Sequence, residues 1–180
     1  YADDPQRMKP AETREPPDFV LRTGAVNFML VSDDGAGLLI DCGGPDPFSE
    51  IDRFIGEGKL KTTEACWITH YHDDHVDKLH LLPDGVPIWT HEDLREIIEH
   101  PMRFRLPCIH HEPAEVARVL KEGESWDWHE FRLTTMHLPG QTHYHNGLLA
   151  EGHGVKVLFA GDSGSPKGLD DHCTQNRVLT

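Results

Sequence analysis

Seven consecutive residues, Thr69-His70-Tyr71-His72-Asp73-Asp74-His75, constrain this chain more than any other feature. They follow Ala65-Cys66-Trp67-Ile68, a short apolar run that reads as a buried strand. In extended backbone, residues i and i+2 share a face about 6–7 Å apart. His70 and His72 can therefore converge on one cation at the roughly 2.0–2.1 Å of a Zn–N bond. The tighter turn that follows can aim Asp74 and His75 at a second ion. Two metals about 3.5–4 Å apart suit hydrolysis, because they share a bridging hydroxide and stabilise the leaving atom. A solvated polar loop that happens to hold three histidines is the weaker reading.

Composition narrows the context. A chain of 180 residues can bury one sizeable core, and 37% hydrophobic with 27% charged residues fits an ordinary globular protein. No run approaches the roughly 18 apolar residues of a membrane helix, and no secretory apolar region is visible. No membrane partner is expected, and the expected location is cytoplasmic. Residue 1 is Tyr rather than Met, so the absence of a visible signal is weak evidence about location. The formal charge of −14, with no Lys/Arg cluster, argues against nucleic acid. The expected partner is a small-molecule substrate, and a homo-oligomer is left open. Fourteen histidines, clustered near aspartates, point instead to metal. Cys42, Cys66, Cys108 and Cys173 form no CxxC, and Cys42 and Cys66 read as buried free thiols.

Residues 1–18, with Pro5, Pro10, Pro16 and Pro17, read as an arm without a core of its own, and residues 19–180 as one domain. Apolar runs on either side of Asp33-Asp34-Gly35, and again around Gly152-His153-Gly154, predict two β-hairpins. Helices are predicted from Ser49, over 78–82, over 92–99 and over 113–121; strands are predicted over 86–89 and within 126–136. Trp126 and Trp128, at period two, predict one buried strand face. Helices alternating with frequent hairpins indicate α/β layers with mixed sheets.

The segment matches the HxHxDH signature and resembles the metallo-β-lactamase superfamily. Three companions appear in the same order. Ile40-Asp41-Cys42-Gly43-Gly44 is similar to that family's Asp-Gly turn. Met136-His137-Leu138-Pro139-Gly140-Gln141-Thr142 is similar to its His-x-Pro-Gly-His-Thr loop, and Leu158-Phe159-Ala160-Gly161-Asp162 to its strand ending in Gly-Asp. The resemblance implies an αββα sandwich, here lacking its last C-terminal elements. It implies that His70 and His72 bind one metal, that Asp74 and His75 bind a second, and that Asp162 bridges them. Two zinc ions are expected, with iron or manganese as alternatives.

Two departures accompany it. Gln141 stands where the family's next histidine is expected, and a neutral amide is a poor zinc ligand. His145 is the preferred substitute, ahead of His143 and of a position lined by Gln141, while His137 is expected to support the loop. The family's last histidine has only His172 as a candidate, which lies too close to Asp162. Elsewhere, Asp77 reads as a helix N-terminal carboxylate, and His110-His111-Glu112 as loop surface. No GxSxG elbow is present.

These readings predict a metal-dependent hydrolase in which a metal-bound hydroxide attacks an ester, lactone, thioester or related substrate. Asp74 would steer that hydroxide and its proton. An iron-dependent oxidoreductase on the same scaffold and a decayed non-catalytic module are the rivals.

Overall fold

The computed structural model describes residues 15–163. Most of the expected N-terminal arm, and also His172 and Cys173, lie outside the described residues. Ten strands form two sheets. The first has six strands in sequential order: β1 (Val20–Arg22), β2 (Phe28–Val31), β3 (Ala36–Ile40), β4 (Thr62–Ile68), β5 (Ile88–His91) and β6 (Val116–Leu120). β1 to β3 pair antiparallel, and β3 to β6 pair parallel. The second sheet is an antiparallel meander of β7 (Ser125–Trp128), β8 (Phe131–His137), β9 (Asn146–Gly152) and β10 (Val155–Phe159).

Side-chain alternation explains the layering. On β3 all five residues are buried, as expected of a strand covered on both faces. Leu38 and Ile40 point between the sheets, where they meet Trp67, Phe131, Leu133 and Leu148. Leu39 points the other way, into a second core with Cys66, Ile68, Ile51 and Phe54. That outer core is closed by helix α1 (Phe48–Gly56) and by α3 (Arg95–Glu99), which buries Ile97 and Ile98. The arrangement is the mixed α/β sandwich expected. Of its two helical layers, the one over the six-stranded sheet is present among the described residues.

Both predicted hairpins form. At the first, Ser32 Oγ donates to Asp34 Oδ1 at 2.5 Å and accepts from Ala36 N–H at 2.9 Å, while Gly35 takes φ +89°. Trp126 and Trp128 face the core between the sheets, and the Trp126 ring lies 6.1 Å from Trp67 and 6.2 Å from Trp89.

Three helix expectations need correction. Residues 113–121 hold β6 rather than a helix, because Val116 and Val119 pair in parallel with Ile88 and Thr90. β-Branched residues suit that pleated, half-buried edge, and tertiary pairing overrides the helical spacing. The helix over 78–82 shrinks to a 3-10 turn at Leu79–Leu81, since Pro83 blocks its continuation. The helix over 92–99 splits into a 3-10 turn, Glu92–Leu94, and the short α3.

Leu38 is fully buried where the sheets meet. Leu38→Ala is expected to cost about 2–5 kcal/mol, read as a lower midpoint in urea unfolding at unchanged slope.

Candidate metal centre

The site forms where the ends of β3, β4, β9 and β10 come together. β4 stops at Ile68 because the partner sheet takes over its carbonyls. Asn146 Nδ2 donates to Thr69 O at 2.7 Å and to Ile68 O at 3.2 Å, and Asn146 N–H donates to Thr69 O at 2.9 Å. The chain stays extended through His72 (φ −63°, ψ 145°), then turns into the single-turn helix α2 (Asp73–Val76). That helix lies directly on the Gly43 backbone. A Cβ at Gly43 would sit 2.4 Å from the Asp74 carbonyl carbon, so only glycine fits.

Asp41 anchors the arrangement. It is 1% exposed and takes φ +60°. Its Oδ1 accepts from Thr69 N–H at 2.7 Å; its Oδ2 accepts from Thr69 Oγ1 and faces His75 Nδ1, both at 2.8 Å. A carboxylate partner puts the Nδ1 proton on His75 and leaves its Nε2 for the site. The hydroxyl that donates to Asp41 lies 3.1 Å from His70 Nδ1, so it accepts the proton there. His70 Nε2 then carries a lone pair, 3.1 Å from His72 Nδ1.

Donor atoms of His70, His72 and Asp162 lie within 4.8 Å of one another. Asp162 Oδ1 is also 3.3 Å from His75 Nε2, an ion-pair contact rather than an aligned hydrogen bond. Asp162 thus lies within reach of His70, His72 and His75 alike. Asp74, exposed at the rim, brings Oδ2 to 3.8 Å from His75 Nε2. The His145 ring is stacked 4.6 Å from His70, and its Nε2 accepts from Asp162 N–H at 3.1 Å. Its Nδ1 is buried with no hydrogen-bond partner among the described residues. The opposed close approach of Gly161 to this ring leaves no room for a side chain there.

Of the residues predicted for the site, His70, His72, His75, His145 and Asp162 come together, with Asp74 on its open side. His143 stays exposed, and its carbonyl accepts from His137 Nε2 at 2.8 Å, so His137 supports the loop as expected. Gln141 is buried and donates to Asp162 Oδ2 at 2.9 Å. Asp77 does not sit at a helix N-terminus. It is the C-cap of α2 and accepts from Gly44 N–H at 2.8 Å and from Lys78 at 2.7 Å. Asp41, Thr69 and Asn146 carried no predicted site role. The available signal for Asp41 was a carboxylate directly after the apolar run Leu38-Leu39-Ile40.

Protonation follows this geometry. Burial holds His70 well below the usual histidine range, and neighbouring His75 adds to that. Burial likewise takes His145 down to about 4. Burial also opposes charge on His75, but Asp41 and Asp162 outweigh it and raise it to about 10. The His75 contact, working against desolvation, holds Asp162 at about 2. Neutral imidazole lone pairs beside an ionised carboxylate are the donor set that a borderline-soft divalent ion takes, so these residues fit such a metal.

Residues 21–171 match the family model of the metallo-beta-lactamase superfamily. The chain belongs to that superfamily. Among solved structures it is similar to a metallo-beta-lactamase from Cronobacter sakazakii (TM-score 0.66, 18% identity, covering 83% of this chain and 61% of that one). It is also similar to GOB-18 from Elizabethkingia meningoseptica (TM-score 0.60, 16% identity, 86% and 68%). At such identities these superfamily likenesses speak to the fold alone. Curated relatives include hydroxyacylglutathione hydrolases from Aeromonas hydrophila subsp. hydrophila, 31% identical over 134 residues, and from Aeromonas salmonicida, 32% identical over 136. Each alignment covers 74% of this chain and 44% of the relative, so the chain spans less than half the length of those relatives. No helix among the described residues is long and apolar enough to cross a membrane.

With His75 held at about 10, the metal-free site carries a proton there at pH 8. Zinc uptake at that pH is expected to release about one proton per chain, because a ligating imidazole must be neutral. Calorimetric titration in buffers of different ionisation enthalpy checks this, and His75→Gln should remove the release.

Proposed function

We propose that this chain is a metal-dependent hydrolase of thioesters, acting on a hydroxyacyl thioester of the kind named in its Aeromonas relatives. The single observation that carries the reading is the convergence of donor atoms of His70, His72 and Asp162 at the end of β4, beside a His75 that Asp41 orients. His70, His72 and His145 would hold one ion, and Asp74 and His75 a second, with Asp162 shared. Zinc is the expected metal, with iron or manganese as alternatives.

When bound, such ions supply Lewis acidity toward a carbonyl and a water ionised near neutral pH. The chain supplies the remaining functions. Asp41 fixes the tautomer and direction of His75 through a buried 2.8 Å contact. The Asn146 bonds tie the His70 loop to the second sheet, which keeps the donor atoms in place. Asp74, with its side chain 53% exposed and Oδ2 3.8 Å from His75 Nε2, would accept a proton from the attacking water and pass it to the leaving thiolate.

Protein purified without chelator is expected to carry up to about two zinc ions per chain by elemental analysis, as a dinuclear site requires. His72→Ala should lose metal. His145→Ala should lose about one ion, whereas His143→Ala should leave the content nearly intact. A panel of hydroxyacyl-glutathione, lactone, β-lactam, phosphodiester and sulfate ester substrates should give fastest turnover on the thioester, and Asp74→Asn should lower kcat more than KM. Wild-type protein that takes up no metal on titration would refute the reading. Metal uptake with turnover of none of these substrates would indicate a site retained without catalysis.

A further inference from the structure

Gln141 stands where the family pattern leads one to expect a histidine. Its side chain is nearly fully buried, at 6% exposure. The amide nitrogen donates to Asp162 Oδ2 at 2.9 Å, and the amide oxygen is buried without a hydrogen-bond partner among the described residues. Burying an amide with half its capacity unmet is unfavourable, so that single bond to Asp162 is what the position retains.

Among the described residues, the other hydrogen bonds that place Asp162 run through backbone groups and the turn after it. Its N–H donates to His145 Nε2 at 3.1 Å, and the next residue closes the turn, with Ser163 N–H donating to Ala160 O at 3.0 Å and Ser163 Oγ to Leu138 O at 2.9 Å. These contacts place the Asp162 Cα but leave the carboxylate free to rotate about χ2, a broad torsion in aspartate. Two side chains limit that rotation. Gln141 holds Oδ2, and His75 Nε2 faces Oδ1 at 3.3 Å. Once His75 gives its Nε2 lone pair to a metal, it cannot also hold Oδ1 as a donor. Gln141 is then the remaining side chain that fixes the carboxylate plane.

We propose that Gln141 is a positioning residue for the metal centre. It is not itself a ligand. By donating to Asp162 Oδ2 it turns Oδ1 toward His75 and the second metal position, so that Asp162 reaches both positions in one orientation. A neutral amide does this without adding a positive charge that would repel a cation. The inference rests on the metal-centre reading above.

The test compares wild-type protein with Gln141→Met, which keeps the length and loses the donor, and with Gln141→Glu, which keeps the shape and sets a carboxylate against Asp162. Zinc affinity is read by competition with a chromophoric chelator. The cobalt-substituted proteins are read by visible absorption, and the metal-free proteins by thermal unfolding. Zinc affinity is expected to fall about 10–100-fold in Gln141→Met and at least as far in Gln141→Glu, with a changed cobalt spectrum in both. Unchanged affinity and cobalt spectrum in either folded variant overturns the proposal. So does a lower unfolding temperature of the metal-free variant as the only effect, because that marks a packing role. If one variant fails to fold, the other decides. Wild-type protein that binds neither zinc nor cobalt refutes the metal-centre reading itself, an outcome distinct from a wild type that binds and variants that match it.

Discussion

The buried carboxylate of Asp41 is the constraint on which the rest of this structure depends. A carboxylate at 1% exposure carries a large desolvation cost unless its lone pairs are met by donors. Here three donors meet it, and they come from two different segments: the backbone and hydroxyl of Thr69, and the ring of His75. One side chain therefore joins the end of β3 to the end of β4 and to helix α2. The left-handed backbone of Asp41 makes this geometry reachable, and aspartate is among the few side chains that tolerate that conformation. Removing it would strand a buried hydroxyl, a buried N–H and a buried imidazolium together.

That junction would be loose if it belonged to one sheet. The second sheet clamps it from the other side: Asn146 grips the Thr69 carbonyl, and Asp162 comes up from the end of β10 to face His75. The packing between the sheets, centred on Leu38, Trp67, Phe131 and Leu148, thereby sets the distance between donors carried on different sheets. Side chains in a close-packed interior transmit small displacements rather than absorbing them, so the fit of this core governs the fit of the site. Fold stability and metal geometry are in this sense one property of the chain.

How much of this was legible in the sequence depends on the range of the interaction. The candidate metal donors of the Thr69–His75 segment are local, and their spacing on a strand end points to convergence without knowledge of the fold. Asp162 reads in sequence as a carboxylate after an apolar strand and a glycine, and His145 as a side chain brought back by the turn at Gly140, but only the resemblance to a family pattern connects them to His70. Asp41 was quoted as a turn residue and given no role, since its partners lie 28 and 34 positions away. The helix expected over 113–121 failed for a related reason. Its apolar spacing fits a helix locally, but the parallel pairing with β5 that decides the matter is not local.

The same relation explains how four histidines can sit together in the interior. Asp41 and Asp162 flank His75 and raise it well above the usual histidine range, while burial lowers His70, His72 and His145. On the metal-centre reading proposed above, uptake of an ion would displace that proton and ask little change of the other rings. That protonation pattern is already close to what ligation would demand. A pre-formed site of this kind needs a rigid frame more than a large one. The two-sheet clamp around Thr69 and Asp41 provides it.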